Sequence, residues 1–92
     1  MIRNFRHKGL ELFFLTGSLS GITASQSKRI KLILGRLHAA TKPEDMALPG
    51  LHLHRLKGKA KQRWSVRLSG NWCITFAFNG ADAVDIDYED YH

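Results

Sequence analysis

Trp64-Ser-Val-Arg-Leu68, Trp72-Cys-Ile-Thr-Phe-Ala-Phe78 and Ala83-Val-Asp-Ile-Asp-Tyr88 decide the fold of this chain. Apolar residues recur at 64, 66 and 68, at 72, 74, 76 and 78, and at 84, 86 and 88, the period of a sheet with one buried face. Ser69-Gly70-Asn71 and Asn79-Gly80 join these runs with residues that tolerate the positive φ of tight hairpins. The pattern predicts an antiparallel meander that runs out into Glu89-Asp90-Tyr91-His92.

Upstream, the sequence reads as helical cover for that sheet. Met1 to Phe5 could form an edge strand. From His7 to Thr16, Leu10, Phe13 and Phe14 share a helical face, and Gly17 stands where a helix C-terminus commonly places glycine. Thr23-Ala-Ser-Gln26 matches a capping box and opens a helix expected to reach about Ala40, with Ile30, Ile33, Leu34 and Leu37 as its apolar stripe. Lys28, Arg29, Lys31 and Arg36 lie largely off that stripe, either as a solvated face or as nucleic-acid contacts. Pro43, Glu44 and Asp45 suit the start of a turn or short helix, which Leu48-Pro-Gly50 ends. With 92 residues, the chain is expected to form one α+β domain spanning 1–92, helices on one face of an antiparallel sheet.

The charge is unevenly spread. Net charge is +6, yet all fourteen Lys and Arg fall within residues 1–81, where the acids are Glu11, Glu44 and Asp45. The last eleven residues carry the remaining five acids. A strongly basic body suits a polyanion such as nucleic acid, and charge alone would suit an anionic membrane surface as well. No apolar run is long enough to span a membrane and no signal peptide is visible, so the expected location is the cytoplasm. The lone Cys73 cannot form an internal disulfide and reads as a small strand residue.

Leu51 to Arg63 is the second informative stretch. It alternates Leu51 and Leu53 with His52 and His54, then brings Arg55, Lys57, Lys59, Lys61 and Arg63 together without an acid. Such a loop beside a sheet suits phosphate contact, although a solvated loop would look similar. Cleaving RNA without a metal needs a base for the ribose 2′-hydroxyl, an acid for the leaving 5′-oxygen, and cations for the phosphorane. His52, His54 and His92 are the titratable candidates, and Lys57, Arg63 and Arg67 are the phosphate donors. Asp90 could orient an imidazole and Tyr91 could stack a base. The closing Glu-Asp-Tyr-His could equally be a frayed tail. His52-x-His54 with His92 and Asp90 could make a metal set, but the surrounding cations disfavour a dication; no metal or other cofactor is expected.

Met1-Ile-Arg-Asn-Phe-Arg-His-Lys-Gly-Leu10, Leu53-His-Arg-Leu-Lys-Gly58, Trp64-Ser-Val-Arg67, Asn71-Trp-Cys-Ile-Thr-Phe76 and Asp87-Tyr-Glu-Asp-Tyr-His92 together closely resemble the HigB-type toxins of the RelE superfamily, also described as plasmid-maintenance killer proteins. The resemblance covers essentially the whole chain. It implies a RelE-like α+β fold and a type II toxin that cuts messenger RNA in the ribosomal A site without metal, leaving a 2′,3′-cyclic phosphate or its 3′-phosphate product and a 5′-hydroxyl. It also implies a HigA-like helix-turn-helix antitoxin as partner, with operator DNA met only through that antitoxin. By position, His54 matches the family's loop histidine and Asp90, Tyr91 and His92 its catalytic terminus, while Lys57 and Arg67 match cations near the substrate path. Cys73 departs from the pattern, standing where such sequences usually carry arginine. Outside the resemblance, a noncatalytic RNA- or ribosome-binding protein acting by occlusion would fit the same charge.

Overall fold

The computed structural model describes residues 1–58 and 62–90; Lys59, Ala60, Lys61, Tyr91 and His92 lie outside the described residues. Helix α1 spans Lys8–Thr16 and α2 spans Ser27–Ala39, with short 3-10 turns at Ala24–Gln26 and Pro43–Met46. Strands β1 (His54–Arg55), β2 (Trp64–Ser69), β3 (Trp72–Asn79) and β4 (Asp82–Asp90) form one sheet in the order β1-β2-β3-β4. All neighbours are antiparallel. The three alternating runs thus become β2, β3 and β4 nearly residue for residue. Strand β1 is new: two residues within the stretch read as a cationic loop pair with β2, His54 opposite Ser65 and Arg55 opposite Trp64.

Local chemistry accounts for the helix ends. The His7 Nδ1 accepts the Leu10 N–H at 3.0 Å, satisfying one of the free donors of α1's first turn. Gly17, at φ 81°, closes the helix by donating its N–H to the Phe13 carbonyl at 2.8 Å. The capping box does not form, because Thr23 makes no side-chain cap. Gln26 is drawn into the interior instead: its amide donates to Ser69 Oγ at 2.7 Å, and its carbonyl oxygen accepts from the Tyr88 hydroxyl. A partner distant in sequence outcompeted a local one.

Leu10, Ile30, Ile33, Leu34 and Leu37 join Val66, Leu68, Ile74, Phe76, Ala83, Ile86 and Tyr88 in one buried cluster. Fully burying each large apolar side chain contributes roughly 1.5–3 kcal/mol. Two details depart from simple alternation. In β4, Ala83 is buried in place of Val84, because the register slips between Thr75 and Ala77 of the partner strand. Asp85 takes up the slip at φ 53°, held by Asn4, which accepts its N–H at 3.1 Å and donates to its carboxylate at 2.7 Å. The first residues do pair with β4, in parallel, through bridges Ile2 to Ala83 and Phe5 to Ile86. The Met1 ammonium and Arg3 Nε both reach Asp82, at 3.1 and 2.8 Å.

Candidate active site

Strand register sorts the functional residues onto two sides of the sheet. Directly paired residues share a side, so His54, Ser65, Thr75 and Asp87 form one transverse row and Arg67, Cys73 and Glu89 the next. Both rows lie opposite the side carrying Val66, Ile74 and Tyr88. At one end of this surface, His52, His54, Arg67, Gly70, Asn71 and Cys73 line an open pocket of about 380 Å³. His54 and Arg67 are thus brought to one place from strands that the sequence separates by a cationic loop.

The backbone sets the tautomer of the His54 ring. Its Nδ1 lies 3.1 Å from the His52 carbonyl. A carbonyl oxygen can only accept, so this bond assigns the proton to Nδ1 and leaves Nε2 as the basic nitrogen of the neutral ring. His52 provides the carbonyl by adopting φ 50°, a left-handed conformation costing about 1–2 kcal/mol for a side-chain-bearing residue. Among the described residues, no group of three or more His, Cys, Asp or Glu side chains is arranged to hold a metal.

Arg63 was expected to contact phosphate, but the structure turns it inward, leaving only 8% of its surface exposed. Its Nη2 donates to Thr75 Oγ1 and to the Asp85 carbonyl, each at 2.8 Å. Thr75, itself fully buried, donates its hydroxyl to Glu89 Oε2 at 2.5 Å. Cation, hydroxyl and carboxylate therefore run in series across β2, β3 and β4. Burial pulls the Arg63 guanidinium down from its ordinary pKa and the Arg6 charge adds to this, while Glu89, Asp87 and Asp85 oppose it. One hint of this series was legible beforehand, a Thr and a Glu on the polar side of their strands, but not that an arginine would reach them.

The other expected site residues are placed as follows. Arg67 is exposed at the pocket, and its N–H donates to the Leu51 carbonyl at 2.6 Å. Lys57 is exposed in the segment leaving β1 and does not line the pocket. Asp90 is exposed at the end of β4 opposite Trp72, and alternation puts it on the side of Trp72 and Tyr88 rather than that of His54. Between β1 and β4 lie three strand spacings, about 14 Å, so the described backbone does not bring Asp90 to His54. The expectations for Tyr91 and His92 fall outside the described residues. Glu89, which the sequence reading passed over, is the carboxylate of the last turn of strand that faces the pocket side.

Two other residues separate support from function. Tyr88 stacks on Trp72 with ring centroids 4.6 Å apart and accepts the Thr23 N–H at 3.3 Å, anchoring β4 just before its end. Arg29 was placed among the helix cations; it donates to the Gly50 carbonyl at 2.8 Å and bridges towards the Arg67 carbonyl, so it ties α2 to the sheet.

A small α+β chain with a histidine and an arginine at an open pocket on an antiparallel sheet, within a basic body, has the charge and shape that suit a polyanionic partner. Residues 3–92 match the family of RelE-like toxins of the type II toxin–antitoxin system HigB, and the chain belongs to that family. It is 41% identical, over all 92 residues of both chains, to a protein of Proteus vulgaris named endoribonuclease HigB. Membership in a type II toxin–antitoxin system implies an antitoxin partner. No helix among the described residues is long and apolar enough to cross a membrane.

Proposed function

We propose that this chain is an endoribonuclease toxin that cuts messenger RNA in the ribosomal A site, without a metal, and so stops translation. What carries the reading is the His54 imidazole, tautomer fixed by the His52 carbonyl, beside the Arg67 guanidinium in an open pocket. In the proposed reaction one histidine, His54 or His92, removes the 2′-hydroxyl proton as that oxygen attacks phosphorus. The bond from phosphorus to the 5′-oxygen breaks, and the other histidine delivers a proton to the departing oxygen. Products are a 2′,3′-cyclic phosphate and a 5′-hydroxyl, with protons balanced between the two imidazoles. Arg67 and Lys57 stabilise the phosphorane, Tyr91 positions a base or sugar, and Asp90 tunes an imidazole at the chain end. The Arg63–Thr75–Glu89 series holds the last residues of β4 that lead into this terminus.

In this reading residues 1–92 act as one toxin domain, the helices covering the core side of the sheet and leaving the other side for RNA. The protein works in the cytoplasm, where ribosomes are, and its antitoxin is HigA-like, with a helix-turn-helix that carries operator DNA binding for the pair. Cys73 lines the pocket where HigB-type sequences usually carry arginine, so the site has one phosphate donor fewer. The experiment is cleavage mapping on programmed ribosomes: truncation at A-site codons, retained when metal other than the ribosome's own magnesium is removed, is expected. Message left intact while translation stops would replace the enzyme by an occluding RNA-binding protein. Activity lost with chelation and restored by zinc would overturn the metal-free mechanism.

A further inference from the structure

Among the described residues, two other than glycine adopt a left-handed backbone, Asp85 and His52. The fold accounts for Asp85, because Asn4 bonds both its N–H and its carboxylate. It accounts for His52 only in the main chain. The Leu51 carbonyl accepts the Arg67 N–H at 2.6 Å, and the His52 carbonyl lies 3.1 Å from the His54 Nδ1. Leu51 is itself buried in the core, so the peptide groups on both sides of His52 are pinned. Glycine would offer the same carbonyl from the same conformation without the steric cost of a Cβ. The His52 imidazole is exposed, and nothing among the described residues bonds it. It lines the same pocket as His54 and Arg67. A ring kept at a strained position on a fixed backbone is a preorganised group that the fold itself does not use.

The pocket is short of positive charge for the proposed reaction. A phosphorane carries negative charge on both non-bridging oxygens, and among the described residues lining the pocket Arg67 is the one permanent cation. His54 changes charge during the step, so it holds no fixed positive charge throughout, and Gly70, Asn71 and Cys73 bring none. His52, once protonated, brings a charged N–H donor of the kind that binds phosphate oxygens strongly. Facing it are His54 of β1, Arg67 of β2 and Cys73 of β3, while Arg29 of α2 is bonded to the nearby Gly50 carbonyl. Glu89 of β4 stands opposite Cys73 and takes the Thr75 hydroxyl. An anion entering the pocket therefore meets Arg67 and His52 with no carboxylate among the described lining residues. We infer that His52 is a catalytic residue of this toxin, its imidazolium donating to a non-bridging oxygen of the phosphorane alongside Arg67. This role deepens the cleavage reading above and rests on it. No covalent bond is made or broken at His52: its proton bridges to the oxygen and stays on the ring when the products leave.

Single-turnover cleavage of message on programmed ribosomes, titrated with the full-length toxin, tests it through two variants. His52→Gly keeps the left-handed backbone and removes the ring. Its maximal rate is expected to fall about tenfold or more, the loss of one charge-assisted hydrogen bond, while its thermal midpoint stays equal or rises and the His54 ring nitrogens keep their NMR shifts. His52→Arg carries a cation that does not titrate. Its rate is expected to match wild type at about pH 6 and to exceed it by a growing factor as pH rises above the histidine range, because the wild-type imidazolium is lost there. A His52→Gly toxin that cleaves within about twofold of wild type overturns the role, and so does a loss confined to the half-saturating concentration, which would make the ring a ground-state contact. A slower His52→Gly toxin with altered His54 shifts would trace the loss to the carbonyl instead and overturns it as well. So does a ratio of His52→Arg to wild type that is constant with pH. Wild-type toxin that leaves the message intact would sink the cleavage reading together with this role, an outcome told apart because every toxin in the series is then silent.

Discussion

Thr75→Val is the sharpest perturbation of the polar series beneath the site. Valine keeps the shape of threonine but removes the hydroxyl that accepts from Arg63 at 2.8 Å and donates to Glu89 at 2.5 Å. Both bonds involve a charged partner, a type worth about 1.5–3 kcal/mol each. Arg63 stays buried, keeps the Asp85 carbonyl, and already holds one buried nitrogen, Nη1, without a partner; it should therefore feel nearly the full loss. Glu89 is only half-buried, so water recovers most of its share. The net expectation is about 2–3 kcal/mol of lost stability. Small domains unfold at about 5–15 kcal/mol, so the variant should still fold. At about 4–8 °C per kcal/mol for a chain of this size, its Tm should fall by about 10–20 °C. Urea unfolding followed by Trp64 and Trp72 fluorescence measures this, and cleavage by the folded variant reports whether β4's end is still held. The expected signature is a lower kcat with little change in KM. Stability within about 0.5 kcal/mol of wild type, the usual scatter of neutral surface changes, together with unchanged kcat, would refute the account of Arg63 as an internal anchor.

Three further outcomes are expected. His54→Gln should lower cleavage by about 10²–10⁴-fold, the usual contribution of a positioned acid or base, with ribosome affinity nearly unchanged in a sedimentation assay. Cys73→Arg restores a cation at the pocket wall and should raise single-turnover cleavage by about tenfold or more, as one charge-assisted hydrogen bond to the phosphorane would; a slower variant would show that the thiol is required as it stands. The Asp82 carboxyl is held below its ordinary pKa, first by the Arg3 hydrogen bond and then by the N-terminal ammonium. A depressed folded-state pKa gives stability that is present above the ordinary aspartate range and lost as pH falls through the folded value. Urea unfolding of Asp82→Asn against wild type should therefore differ near neutrality and converge in acid; a constant difference across that window would discount the pair.

How far the sequence could be read depended on the range of the interactions involved. The β2–β3 and β3–β4 hairpins follow from alternation and from Gly70 and Gly80 at φ 56° and 64°, all of which act over a few residues. The stripe of α2 is equally local, and Ile30, Ile33, Leu34 and Leu37 are all buried. His54 and Arg67 were legible as candidate site residues because each lies in a patterned stretch whose polar side is fixed by its neighbours. Period-two reasoning failed at Asp85, where Asn4, from the other end of the chain, holds a bulge that shifts burial from Val84 to Ala83. It failed again at Ser65 and Thr75, both fully buried on the side expected to face water, because the Arg63 side chain lies over Thr75.

By itself, then, the sequence determined the strands, the helices and the basic body, since hydrophobic period, turn residues and charge are properties of neighbouring residues. Tertiary structure decided which polar groups reach the site. It turned Arg63 inward to Thr75 and Glu89, put Asp90 on the side away from His54, and fixed the His54 tautomer through a carbonyl turned by His52. Those outcomes depend on register and on contacts between residues far apart in the chain, and a single strand's pattern carries no record of where its neighbours will come to lie.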